Sequence, residues 1–167
     1  YPWWIDLQES YPLGFIVEFG GMPGDVPVAA SAGDLLSGGL GDDTLYGQAG
    51  ADTLDGGAGN DLLDGGSGSD LFLVDAAGDV VVEQPGGGND TVRAAVSHTL
   101  AEWVEQLELV GAAAEGTGNG LDNLLTGNAA ANRLLGLAGA DTIDGGAGAD
   151  TMEGGTEDDL YIVDDAG

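Results

Sequence analysis

The sequence has no cysteine and no lysine, and its only cationic side chains besides His98 are Arg93 and Arg133. Without cysteine there is no disulfide framework and no thiolate metal centre. Two arginines face 30 acidic residues, so the formal net charge is -28. A polyanion of this kind is repelled by phosphate backbones and anionic lipid surfaces, which excludes electrostatic nucleic-acid binding and membrane docking and leaves cations as natural partners. No apolar run approaches the roughly 20 residues that cross a bilayer, so membrane insertion is not expected, and no signal-peptide pattern is visible. Catalytic signatures are also missing. His98 lies in a strand-like stretch beside Ser97 with no indicated acidic partner, so a packing or surface role is expected of it. The glycine-rich turns lack a P-loop lysine, no GxGxxG follows a strand, and the EF-hand spacing fails because Asp61 is followed by Leu62 and Leu63. The sequon at Asn89 to Thr91 is short enough to arise by chance. No enzymatic activity is expected.

What is present is glycine and apolar material: 33 glycines in 167 residues, 43% hydrophobic residues and a mean hydropathy of +0.05. That is enough apolar surface to disfavour disorder throughout, and the length suits one domain or one elongated repeat array. The chain starts at Tyr1 rather than Met, as a mature product or an excised piece of something longer would.

The glycines are periodic. From Gly38 the chain reads GGLGDDTLY, GQAGADTLD, GGAGNDLLD and GGSGSDLFL, and from Gly136 it reads GLAGADTID, GGAGADTME and GGTEDDLYI. In this frame the sixth position is Asp25, Asp34, Asp43, Asp52, Asp61, Asp70 and Asp79, then Asn123, Asn132, Asp141, Asp150 and Asp159; ten of the 21 aspartates fall on it. The eighth position is apolar: Leu36, Leu45, Leu54, Leu63 and Phe72, then Leu125, Leu134, Ile143, Met152 and Tyr161. A nine-residue period fits neither a helix nor plain strand alternation. Glycines at positions one, two and four allow positive φ and close backbone approach, so GGxGx folds as a tight turn with inward carbonyls, and the next three residues form a short strand with its central apolar side chain inward. Two such units complete one coil, so alternate turns stack and bring together Asp34/Asp52, Asp43/Asp61, Asp52/Asp70 and Asp141/Asp159. Two carboxylates about 4 Å apart repel by about 4 kcal/mol at an effective dielectric of 20. Calcium relieves this, because it takes six to eight hard oxygen ligands, carboxylates and carbonyls together, in flexible geometry; magnesium demands stricter octahedra and zinc prefers nitrogen and sulfur.

The pattern GGxGxDxUx resembles the RTX, or haemolysin-type, calcium-binding repeats, directly over about residues 29 to 79 and 118 to 162. The resemblance implies an all-β, right-handed parallel β-roll or β-solenoid with several calcium ions in rows between stacked turns. The implied ligands are Asp34, Asp43, Asp52, Asp61, Asp70, Asp79, Asn123, Asn132, Asp141, Asp150 and Asp159, with carbonyls of the turns. Asn123 and Asn132 remove charge, Glu157 replaces a fourth-position glycine, and Pro23 and Pro27 put the Asp25 unit in doubt.

Residues 52–78 and 141–167 match at 16 of 27 positions, so the nonapeptide blocks belong to a larger repeat. The expected organisation is an aromatic N-terminal cap or docking strand at 1–28, a first repeat block at 29–79, a wider solenoid spacer at 80–117 and a second, truncated block at 118–167. In the spacer, VVVE, TVRAAVSHTL and VEQLELVG read as strands, with room for a short helix at 100–106. Six of the ten aromatics lie between Tyr1 and Phe19, where Leu13, Phe15, Val17 and Phe19 alternate on one face. That strand would cap the open end of the solenoid, or insert into a neighbouring copy and build a head-to-tail homopolymer through residues 1–20. Two functions are expected: a calcium-binding structural module of a secreted or surface-located bacterial protein, or the non-catalytic tract of a secreted hydrolase or toxin.

Overall fold

In a computed structural model that describes residues 16–18 and 33–163, the nonapeptides are turn-strand units wound into a parallel β-solenoid of about seven turns. One face is a nine-stranded sheet of β1 (Ile16–Glu18), β2 (Leu35–Leu40), β4 (Thr53–Ala58), β6 (Leu71–Val74), β8 (Thr91–Ala94), β10 (Gln106–Leu109), β12 (Leu124–Thr126), β14 (Thr142–Asp144) and β16 (Leu160–Ile162), in that spatial order. The opposite face is two sheets. The first joins β3 (Thr44–Tyr46), β5 (Leu62–Asp64) and β7 (Val80–Val82); the second joins β9 (His98–Thr99), β11 (Glu115–Thr117), β13 (Arg133–Ala138) and β15 (Thr151–Thr156).

The pairing is parallel throughout, and the coil of two nonapeptides expected from the repeat is its register: Leu35 pairs with Thr53, Thr53 with Leu71, Thr44 with Leu62 and Thr142 with Leu160. Most strands are too short to stand alone, so their neighbours above and below supply both their hydrogen bonds and their dry face. Eighth-position side chains form two inward ladders. Leu36, Leu54, Phe72, Val92, Leu107, Leu125 and Ile143 stack along the nine-stranded face, and Leu45, Leu63 and Val81 stand opposite. All of these are buried, and each such rung contributes about 1.5–3 kcal/mol of apolar burial.

Coil length changes in the spacer. The coil from β6 to β8, in which Leu71 pairs with Thr91, is longer than two nonapeptides. The next, from β8 to β10, pairs Thr91 with Gln106 and is shorter; the regular coil resumes where Gln106 pairs with Leu124. The nine-stranded face runs through this change, whereas the opposite face breaks between β7 and β9. The short helix for which residues 100–106 left room does not form. Glu102 and Trp103 form a turn in which Trp103 takes φ 70°, and Gln106 already begins β10; the apolar residues there serve the coil, with Leu100 and Val104 in the core. His98 sits in register with Gly116, where a Cβ would meet Leu107 and Leu134. Burial pushes its imidazole below the ordinary histidine range. This is the packing role expected of it.

Near the N-terminus β1 pairs in parallel with β2 of the same chain, Val17 in register with Leu36. The aromatic residues of positions 1–15 and 19, the Asp25 unit and the last four residues lie outside the described residues.

Candidate metal centre

The sixth position sits where the turn enters its strand, and stacking turns places these residues directly above one another. The amide of Asp34 donates to Asp52 Oδ1 at 2.7 Å, Asp43 to Asp61 at 2.8 Å, Asp52 to Asp70 at 2.7 Å and Asp141 to Asp159 at 3.1 Å, each pair one regular coil apart. These are the four pairs expected from the spacing. The Asp61 amide also donates to Asp79 Oδ1, and the Asn132 amide to Asp150 Oδ1. Asp52, Asp61, Asp70, Asp79, Asp150 and Asp159 thus each have one carboxylate oxygen occupied by a backbone amide. The other oxygen of Asp52, Asp61 and Asp70, like Oδ2 of Asp34 and Asp141, is buried and accepts no hydrogen bond from protein. An oxygen with lone pairs, shut away from water and without a donor, costs about 1–3 kcal/mol unless something positive fills the gap.

The turns supply more oxygens at the same places. A Cβ on Gly38 would lie 2.6 Å from the Gly56 carbonyl oxygen and 2.7 Å from Asp43 Oδ2; on Gly47 it would lie 2.5 Å from the Gly65 carbonyl oxygen and 2.6 Å from Asp52 Oδ2. First-position glycine therefore leaves open the one volume on which a carboxylate oxygen of its own repeat and a carbonyl of the next coil converge. Carboxylate plus carbonyl in an all-oxygen cradle is the donor set of calcium, and zinc's preferred nitrogen and sulfur ligands are not offered by it. Second- and fourth-position glycines do a different job: Gly57 (φ 79°) and Gly68 (φ 133°) need left-handed backbone, and a Cβ on either would strike the turn stacked beside it. Gln48, Leu137 and Glu157 hold the same conformation, at φ 70°, 86° and 84°, without being glycine. That costs about 1–2 kcal/mol at each.

Electrostatics follow the burial. Burial first, then the charges of Asp70 and Asp34, push Asp52 up to about 6 against the amide bond from Asp34, which pulls it down. Asp61, Asp70 and Asp141 are raised mainly by burial as well.

Two kinds of residue differ from these aspartates. Asp79 turns its second oxygen to the amides of Asp75 and Ala76, at 3.1 and 3.0 Å, and so closes a local turn. Asn123 and Asn132 present amide nitrogen. Asn123 Nδ2 donates to the Val104 carbonyl at 3.2 Å and Asn132 Nδ2 to the Ala113 carbonyl at 3.0 Å, while their Oδ1 atoms accept from the amides of Asn119 and Asn128, both at 2.8 Å. Asn119 and Asn128 add side-chain bonds of 2.7 Å to the carbonyls of Val104 and Ala113.

The nine-residue frame passes over Glu83, Asp90 and Glu105. The Asp70 amide donates to Asp90 Oδ1 at 2.8 Å and the Asp90 amide to Glu105 Oε2 at 2.9 Å, so the ladder of the first block continues into the spacer through residues off the repeat spacing. Burial and the neighbouring Asp90 raise Glu83 to about 8, and burial leads in raising Asp90 to about 6. The motif GGGNDTV around Asp90 is a usable signal, being a glycine turn ending in aspartate before a strand.

The family model described as the RTX calcium-binding nonapeptide repeat (4 copies) matches residues 37–72, 117–152 and 126–161. A search of curated proteins finds no match. The matched spans are the two stacked blocks, and an RTX β-roll is a structural calcium-binding module rather than a catalytic fold. With its repeat, its solenoid and its cradles of glycine and aspartate in agreement, the chain belongs to the proteins built on RTX calcium-binding nonapeptide repeats.

Proposed function

We propose that the chain is a calcium-folded structural module of a bacterial extracellular or surface protein. Asp34, Asp43, Asp52, Asp61, Asp70, Asp141, Asp150 and Asp159 act as carboxylate ligands alongside turn carbonyls, Asp79 ends its edge of the row, and Asn123 and Asn132 are neutral members whose polar atoms already have partners. The observation that carries this is the row of buried carboxylate oxygens without a donor, set beside glycine cradles. With a net charge of -28 the cation-free chain is expected to be expanded, and calcium binding to contribute directly to folding. Affinity in the extracellular range of about 10⁻⁴ to 10⁻³ M would keep it unfolded inside the cell and fold it outside. Circular dichroism across a calcium titration tests this. A cooperative rise of β signal with calcium supports it, and a fully folded chain in excess chelator contradicts it.

β1 serves as a cap on the first coil in this reading, supported by its pairing with β2 of its own chain. A second reading, in which residues 1–20 dock on another copy and build calcium-dependent fibres, draws on the exposed Leu160, Tyr161, Ile162 and Val163 at the opposite end. Deleting residues 1–20 separates them. Loss of monomer stability with no change in mass by light scattering supports the cap, and loss of high-mass species from a still-folded roll supports docking.

A further inference from the structure

Between β7 and β9, where the second face breaks, three acidic side chains meet: Asp70, Glu83 and Asp90. One oxygen from each lies within 4.8 Å of the others, and the residues are 2%, 8% and 0% exposed. Their remaining hydrogen bonds point away. Asp70 Oδ1 accepts from the Asp52 amide at 2.7 Å, Asp90 Oδ1 from the Asp70 amide at 2.8 Å and Glu83 Oε2 from the Gln84 amide at 3.1 Å. Asp70 Oδ2, Glu83 Oε1 and Asp90 Oδ2 are buried with no donor at all.

The surrounding backbone has made room for this. Asp64 pairs with Val82, so Glu83 stands one coil on from Gly65, in the slot that a first-position glycine would fill, and its carboxylate folds back over Gly65. A Cβ on Gly65 would strike both Glu83 Oε1 and Asp70 Oδ2. On the other side a Cβ on Gly87 would lie 2.7 Å from Glu83 Oε2, 3.0 Å from the Gly66 carbonyl oxygen and 3.2 Å from that of Gln84.

We propose that Asp70, Glu83 and Asp90 form a separate calcium site at the junction of the first block and the spacer, tighter than the sites between two stacked aspartates. The proposal rests on the calcium reading above and adds to it a site made mostly by residues outside the nonapeptide phase. The donor set is all oxygen, and it brings three formal charges where a stacked pair brings two. In calcium sites ligand charge is a principal determinant of affinity. The site also ties β6, β7 and β8 together where β7 has lost its next neighbour, so an ion there secures the change of coil length.

Calorimetric titration of the full chain with calcium tests this. The native chain should show one tight ion ahead of a weaker class. Glu83→Gln, which keeps shape and removes one charge, should weaken that ion tenfold or more and leave the β signal at saturating calcium intact. Asp141→Asn should reduce the weaker class and spare the tight one. Titration curves of Glu83→Gln that overlay those of the native chain would overturn the proposal while leaving calcium-dependent folding in place; a native chain that takes up no calcium would overturn both. Should Glu83→Gln fail to fold, hydrogen exchange on the native chain decides. The Asp70 and Asp90 amides should become protected at lower calcium than the Asp43 amide, and the same or higher calcium would overturn the site.

Discussion

The coils of residues 33–90 and those of residues 101–135 stack with the same backbone, but they satisfy their turns in opposite ways. In the first region Asp52, Asp61 and Asp70 each hold a neighbouring amide with one carboxylate oxygen and leave the other buried without a donor. In the second the sixth-position side chain is the amide of Asn123 or Asn132, with nitrogen on a carbonyl of the coil before and oxygen on a nearby amide. The NH₂ group there offers two donors and no charge, where the first region offers only acceptor oxygens. The same stacked turn therefore closes in two ways, with a neutral amide whose hydrogens reach neighbouring carbonyls or with a carboxylate that leaves a buried oxygen without a donor.

The largest expected effect comes from removing a shared carboxylate. Asp52 bonds the Asp34 amide, and its own amide bonds Asp70, so it belongs to two stacked pairs. Asp52→Ala should lower calcium stoichiometry and folding cooperativity, whereas Asn123→Ala should keep stoichiometry and cost about 1–3 kcal/mol for the bond to the Val104 carbonyl that it loses. Calorimetry on both variants checks this, and equal losses of calcium would erase the distinction between the regions.

Next in size is the reverse exchange. Asn132→Asp removes a donor to the Ala113 carbonyl and adds a buried charge, so the variant should lose about 1–3 kcal/mol at low calcium and recover part of it as calcium rises. Denaturant unfolding at two calcium concentrations measures it. Unchanged calcium dependence would show that the middle coils differ from the first block in more than this atom.

Acidity offers a third lever, confined to the carboxylate region. Asp52 and Asp90 rise to about 6 and Glu83 to about 8 in the folded chain, from 3.8, 3.8 and 4.5. The cation-free fold therefore binds more protons than the unfolded chain. Its stabilisation by those protons is complete below about pH 4 and is lost as pH rises through about 6 and then about 8. Calcium competes with the same protons, so its affinity should increase across that window. In chelator, β signal should appear on acidification from about pH 8 towards 5; no gain would contradict the burial of these groups.

The smallest effect concerns the turns alone. Leu137 occupies a second position at φ 86°, where the equivalent Gly146 has φ 69°. Leu137→Gly should stabilise the roll by about 1 kcal/mol without altering calcium stoichiometry, as thermal unfolding in saturating calcium would report.

Much of this was legible in the sequence because the roll is nearly one-dimensional. A fixed phase of nine places Leu36, Leu54 and Phe72 on one inner ladder and Asp34, Asp52 and Asp70 on one edge with no knowledge of distant contacts. Reading stops where the phase slips. The lengthened coil carrying Pro85 and Gly86 moves Asp90 off the frame, and Glu83 sits in a glycine's slot, so neither is visible by counting. Residues 100–106 carry the apolar spacing of a short helix, yet the shortened coil has room there only for the turn at Trp103. At Asn123 and Asn132 the letters show that charge is gone; only the stacked carbonyls of Val104 and Ala113 show that a donor has replaced it.

Residue-resolved hydrogen exchange, in excess chelator and then in rising calcium, tests the central claim most directly. The amides of Asp34, Asp43 and Asp52, which point at neighbouring carboxylates, should exchange freely in chelator and become protected together as calcium is added, later than the amides of Leu124 and Arg133 in the asparagine-closed coils. Full protection of the Asp43 and Asp52 amides in chelator would contradict the account.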